Sequence, residues 1–155
     1  MTSNIGHLLG TGILDEQGVR DVVARLVGDD MLSGYGVRTM STLAGGYWPE
    51  SYHCGSVWAH DSAIVMNGLR AEGYEAEALR VADGLVRAAD AFDYQIPELY
   101  SGDSGENSPS PYPAACHPQA WSAASSVSVL SLLLGLEPCS TERLHPSLLW
   151  LEDCG

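Results

Sequence analysis

Two loops of this chain hold side chains that could do chemistry together. The first carries Tyr52 and His53 and runs into Trp58, His60 and Asp61; the second carries Glu98, Tyr100, Asp103, Tyr112, His117, Gln119 and Trp121. Aromatic rings mixed with carboxylates and amides suit a sugar. A pyranose has apolar C–H faces that stack on rings, and hydroxyls that need donors and acceptors. Breaking a glycosidic bond then takes two carboxyl groups, one an acid and the other a base or nucleophile. Glu98 is the first candidate: it follows Pro97, which restrains the local backbone, and lies among Ile96, Leu99 and Tyr100. A solvated loop glutamate would have the same composition around it, and most charged loop residues are solvated. Asp61 and its neighbour His60 fall on the first turn of an expected helix, where the dipole favours a carboxylate. They read equally as an ordinary acidic helix start beside a packed or exposed histidine.

Other chemistries find less support. His7, His53, His60, His117 and His145 show neither H-E-x-x-H nor a Cys/His ligand spacing, so no metal and no cofactor is expected. Cys54, Cys116, Cys139 and Cys154 contain no C-x-x-C pair. Cys54 and Cys116 each adjoin a histidine, but chain neighbours rarely face each other, and inert thiols are the expectation. The glycines of "NIGHLLGTG" lack the preceding strand and the G-K-[ST] of a phosphate loop.

The bulk properties narrow the class. A chain of 155 residues makes one domain or part of one. Its 7 Lys+Arg against 20 Asp+Glu give a net charge of -13, which argues against nucleic acid and against an anionic membrane surface. A neutral substrate fits that charge, and so does simple solubility. The apolar run from Val127 to Leu136 is interrupted by Ser128 and Ser131 and is too short to span a bilayer. With no basic stretch and apolar core at the N-terminus, a cytoplasmic protein with reduced thiols is expected.

The elements that must position these residues read as helices. Asp15 is placed to cap a helix over 16–27, with Val19, Val22, Val23 and Leu26 as its apolar stripe. Ser56 is placed to cap a second helix over 57–72, nearly free of charge and so expected to be buried. A third, over 75–92, pairs an apolar face (Ala78, Val81, Leu85, Ala88, Phe92) with a charged one. These two make an αα-hairpin with an inner and an outer member. A fourth helix, over 118–134 and opened by Pro118, is apolar nearly all round and is expected to be buried on most sides. Residues 33–56 and 95–119 are long, aromatic, conformationally special loops. The fold class is therefore all-α, with about four main helices, residues 1–136 as the domain and 137–155 as a tail packing on it.

Five blocks occur in order: "SNIGHLLGTGI", "SGYGVRTMS", "SYHCGSVWAHDSAIVMNGL", "IPELYSG" and "YPAACHPQAWSAAS". In register they resemble the C-terminal part of the amylo-alpha-1,6-glucosidase (glycogen-debranching) family. The resemblance implies a partial (α/α)6 barrel and hydrolysis of α-glucosidic bonds with inversion. It implies that Glu98 is the general base, and that Trp58, His60, Asp61, Gln119 and Trp121 are binding or support residues near the glucose; Tyr52 and His53 join them as candidate substrate-binding residues from the content of the first loop. Ala59, Gly10, Glu50 and Cys54 depart from residues common in that family. The family's general acid lies in a segment with no counterpart here. The resemblance thus implies a missing barrel half or a second chain, possible homo-oligomerisation, and exposed inner faces at Trp58, Val65, Leu130 and Leu133. An α-glucan or oligosaccharide is the expected ligand. The alternative is a non-catalytic carbohydrate-binding or assembly module on the same scaffold.

Overall fold

The structure, a computed structural model, describes residues 1–136. The expected tail over 137–155, with Cys139, His145 and Cys154, lies outside the described residues. Helix α1 (Glu16–Leu26) forms where its stripe predicts, and buries Val19, Val23 and Leu26. Asp15 Oδ1 accepts from the Gly18 N–H at 2.7 Å and so satisfies one of the helix's orphan donors.

Helices α2 (Ala59–Ala71) and α3 (Glu75–Ala91) form the expected hairpin. Gly73 turns the chain between them at φ 81°, the left-handed conformation common just past helix ends. The inner member α2 buries Ala59, Ala63, Val65, Met66 and Leu69; α3 buries one stripe, Ala78, Val81, Ala82, Leu85 and Ala88. Around α2 the core gathers Leu26, Met31, Val37, Val57 and Tyr100. Tyr100 is fully buried and donates its hydroxyl to the Tyr35 carbonyl at 2.7 Å. Loss of hydration pushes its phenol far above the ordinary value, so that bond keeps its proton.

The start of α2 differs from expectation. Ser56 does not cap it; Trp58 holds the cap position without a side-chain bond, and Val57–Trp58 form a short strand β1. This strand pairs antiparallel with β2 (Leu99–Tyr100), Val57 opposite Tyr100 and Trp58 opposite Leu99. Single bridges add Arg38 beside Val57 and Pro111 beside Tyr100. The reason is backbone satisfaction. Two loops pressed into the interior must pair their N–H and C=O groups, and a β-branched and an aromatic residue accept the extended conformation readily. The Ser56 hydroxyl instead donates to the Tyr52 carbonyl and lies 3.2 Å from Trp58 Nε1.

The loops are clamped further. Buried Arg38 donates Nε to the Gly102 carbonyl at 2.6 Å and Nη1 to the Asp29 carbonyl at 2.9 Å. Gly102 packs so closely on the first loop that a Cβ there would lie 1.8 Å from the Gly55 oxygen. The 3-10 segment Ser3–Leu8 presses on α2 in the same manner: a Cβ on Gly6 would fall 2.6 Å from a methyl of Val65. Gly10 then donates its N–H to Glu72 Oε1 at 2.8 Å, tying the following turn to the far end of α2.

Helix α4 (Ala120–Leu133) corrects a second expectation. It is not buried on most sides. Ser122, Ser125 and Val129 face inward, while Val127, Leu130 and Leu133 are 66, 54 and 56 % exposed. Small hydroxyl residues let the helix approach its neighbours closely, and they carry hydrogen bonds across, as Ser122 Oγ does to the Glu98 carbonyl at 3.4 Å. The exposed inner face expected at Leu130 and Leu133 is present, whereas Trp58 and Val65 are buried. Pro118 precedes the helix and does not open it; Gln119 takes the cap position. No helix among the described residues is long and apolar enough to cross a membrane.

Candidate active site

The β1–β2 ladder sets Trp58 and Glu98 on adjacent stretches, and rings spread from there. Tyr52 meets Trp58 edge to face at 4.8 Å between centroids and Tyr112 at 5.5 Å. His53 stacks on Trp58 at 5.5 Å with the planes 10° apart. Beyond Trp58 comes Trp121 at 6.0 Å, and Trp121 stacks on His60 at 4.8 Å, again 10° from parallel. Trp58 is anchored by donating its indole N–H to the Tyr52 carbonyl at 3.0 Å. His53, Trp58, His60 and Trp121 wall a cavity of about 390 Å³ lined also by Asp61, Thr39 and the N-terminal Thr2, Ser3 and Asn4. Larger hollows against α3 and between α2 and α4 have no aromatic lining residue among those described.

Glu98 stands at the Tyr52 end of this chain of rings. It is 8 % exposed, so its carboxyl is not the solvated group that loop composition allows. Its own N–H donates to the Cys116 carbonyl at 3.2 Å, and the Cys116 N–H returns to Glu98 Oε2 at 3.4 Å. The Tyr52 hydroxyl is also hydrogen-bonded to it. Loss of hydration first, and the Glu98 charge second, hold the Tyr52 phenol above its ordinary value and keep it a donor.

Asp61 stands at the other end, on the first turn of α2. Its Oδ1 lies 2.6 Å from His7 Nε2. Its Oδ2 is buried with no hydrogen-bond partner among the described residues. Asp61, His60, His53, Trp58 and Trp121 line one cavity, and Tyr52 joins them through its contacts with Trp58 and His53. Gln119 is placed apart. It lines a separate hollow with Gln95, Ile96 and His117, where His117 Nε2 is 3.2 Å from Gln95 Oε1.

Five residues escaped sequence reasoning: His7, Thr2, Ser3, Asn4 and Tyr47. His7 entered only as one of five histidines without metal spacing, although its block "SNIGHLLGTGI" was a signal available at that stage. Thr2, Ser3 and Asn4 line the cavity because the Ser3 N–H bonds the Thr39 carbonyl at 3.2 Å, a contact no periodicity announces. Tyr47 donates its hydroxyl to the Gly102 carbonyl at 2.8 Å and so braces the second loop.

Residues 8–122 match the family model of the mannosylglycerate hydrolase MGH1-like glycoside hydrolase domain. That span takes in both loops, Glu98, Asp61 and every ring of the cavity wall. No curated protein matches the chain.

Proposed function

Since this chain belongs to the mannosylglycerate hydrolase MGH1-like glycoside hydrolase family, we propose that it supplies the general base and one wall of the sugar pocket of an inverting glycosidase of the debranching type. The observation carrying this reading is Glu98: a buried loop carboxylate, held by a backbone amide and a tyrosine hydroxyl, at the end of a wall of rings. A base must keep its orientation while it activates water, and those two donors leave it little freedom. Trp58, Trp121, His53 and His60 offer faces for a pyranose, and Asp61 accepts from its hydroxyls. Gln119 acts from the neighbouring hollow. The proton for the leaving group comes from a partner segment or a second chain.

The ligand class follows from charge. The family's namesake hydrolyses mannosylglycerate, a glycoside that carries a carboxylate. Here Asp61 is on the wall and Glu98 close by, while neither lysine nor arginine appears among the described lining residues. A neutral α-glucoside suits that wall better than an anionic one.

Calorimetric titration of the purified chain with maltose and with mannosylglycerate tests the reading. Maltose is expected to bind and mannosylglycerate to bind more weakly; no binding of either sugar would overturn it. Glucose release from maltooligosaccharides is expected only once the partner segment is supplied, and to vanish in Glu98→Gln. Full turnover by that variant would refute the assignment of the base.

A further inference from the structure

His7 and Asp61 are 54 residues apart in the chain and meet at 2.6 Å. The meeting is engineered by the fold: Gly6 lets the 3-10 segment lie on Val65 of α2, and the bond between the Ser3 N–H and the Thr39 carbonyl holds the segment's start. His7 itself is 44 % exposed at its side chain and does not line the cavity. Asp61 lines it, and its second oxygen is buried without a partner among the described residues. A carboxylate has capacity for several donors, and leaving one oxygen bare in the interior is costly. A free Asp61 side chain would rotate to relieve that. The His7 bond opposes rotation.

We infer that His7 is a positioning residue for Asp61, holding its carboxylate in the orientation in which sugar hydroxyls are received. This rests on the glycosidase reading of the same cavity. Among the described residues the hydrogen bond of the His7 ring is to Asp61, and its effect on ligand reaches the cavity through that side chain. The required property is a donor at the Nε2 position; glutamine can place an amide N–H at a similar reach, and leucine cannot.

The test is maltose affinity of the full chain, read by calorimetry, for His7→Leu, His7→Gln and Asp61→Asn. His7→Leu is expected to weaken maltose by about 10-fold or more, the scale of a lost hydrogen bond to a charged group. His7→Gln should recover affinity to within about 3-fold of the parent, because the donor is restored. In the double variant His7→Leu/Asp61→Asn, affinity should fall no further than in Asp61→Asn alone, since His7 acts through Asp61. Parental affinity in a folded His7→Leu, or losses that add in the double variant, would overturn the inference while leaving the glycosidase reading intact. Failure of the parent to bind maltose would remove the glycosidase reading and this inference with it. Should His7→Leu not fold, the imidazole nitrogen signals of His7 answer instead. Shifts in Asp61→Asn and on maltose addition support the pairing role; signals unmoved by either refute it.

Discussion

Glu98 and Asp61 occupy opposite ends of one wall of rings and are held by opposite means. Glu98 sits on a loop, yet backbone fixes it: the Cys116 amide, the adjacent β-ladder and Pro97. Asp61 sits on a helix, yet a side chain from the distant N-terminal segment fixes it. Backbone anchoring resists substitution nearby and suits a group that must point one way throughout a reaction. Side-chain anchoring is adjustable and suits a group that receives a ligand. The two ends are therefore expected to fail differently.

The largest effect is expected at Glu98. With the partner segment supplied, Glu98→Gln should lower turnover by about 10²–10⁴-fold, the usual yield of general base catalysis, with maltose affinity nearly unchanged. A parallel loss of affinity would erase the contrast between the ends. Trp58→Ala should damage both ends at once, because Trp58 touches Tyr52 on one side and Trp121 on the other. It is 8 % exposed, and its removal should cost about 3–5 kcal/mol of stability, read as a fall in the denaturant midpoint. Asp61→Asn should act on binding alone, weakening maltose by roughly 10-fold while leaving the melting temperature near that of the parent. Tyr52→Phe should reduce turnover by a few-fold and affinity less, since it frees one of the restraints on Glu98 without removing the amide bond.

The smallest effect concerns alkaline pH. Tyr47, Tyr52 and Tyr100 all have phenols raised in the fold, each chiefly by lost hydration. Groups raised in this way favour the folded state fully below their unfolded value, about 10, and lose that contribution as pH climbs through the raised values. Stability attributable to them should be flat from pH 7 to 9 and decline only above about 10. Tyr52→Phe should soften that decline slightly, as measured by urea unfolding at pH 7 and at pH 10.5.

Helices α2 and α4 show how far sequence reading reached. Both are nearly free of charge, and both were expected to be enclosed. For α2 this holds because the 3-10 segment Ser3–Leu8, the hairpin partner and the loops all press on it. For α4 the composition is equally apolar, but the serines face inward and the leucines outward. A helix apolar all round has no preferred face by periodicity, so the inward side is decided by which residues permit close approach and carry cross-links such as Ser122 to Glu98. The cap of α2 failed for a related reason. Ser56 is an able N-cap, but pairing of Val57 and Trp58 with the second loop satisfied more backbone than a cap would.

The amino-acid order alone determined the helices with caps and stripes, the two special loops, the acidic charge balance and the likeness to glycoside hydrolases, because each depends on composition, local propensity or short motifs. Only the tertiary structure decided that Glu98 is buried, that Asp61 bonds His7, that Gln119 stands in a separate hollow and that α4 presents its leucines to solvent. Those facts depend on contacts between residues far apart in the chain, whose geometry is set by how closely backbones approach at glycines and serines. No local pattern encodes that distance.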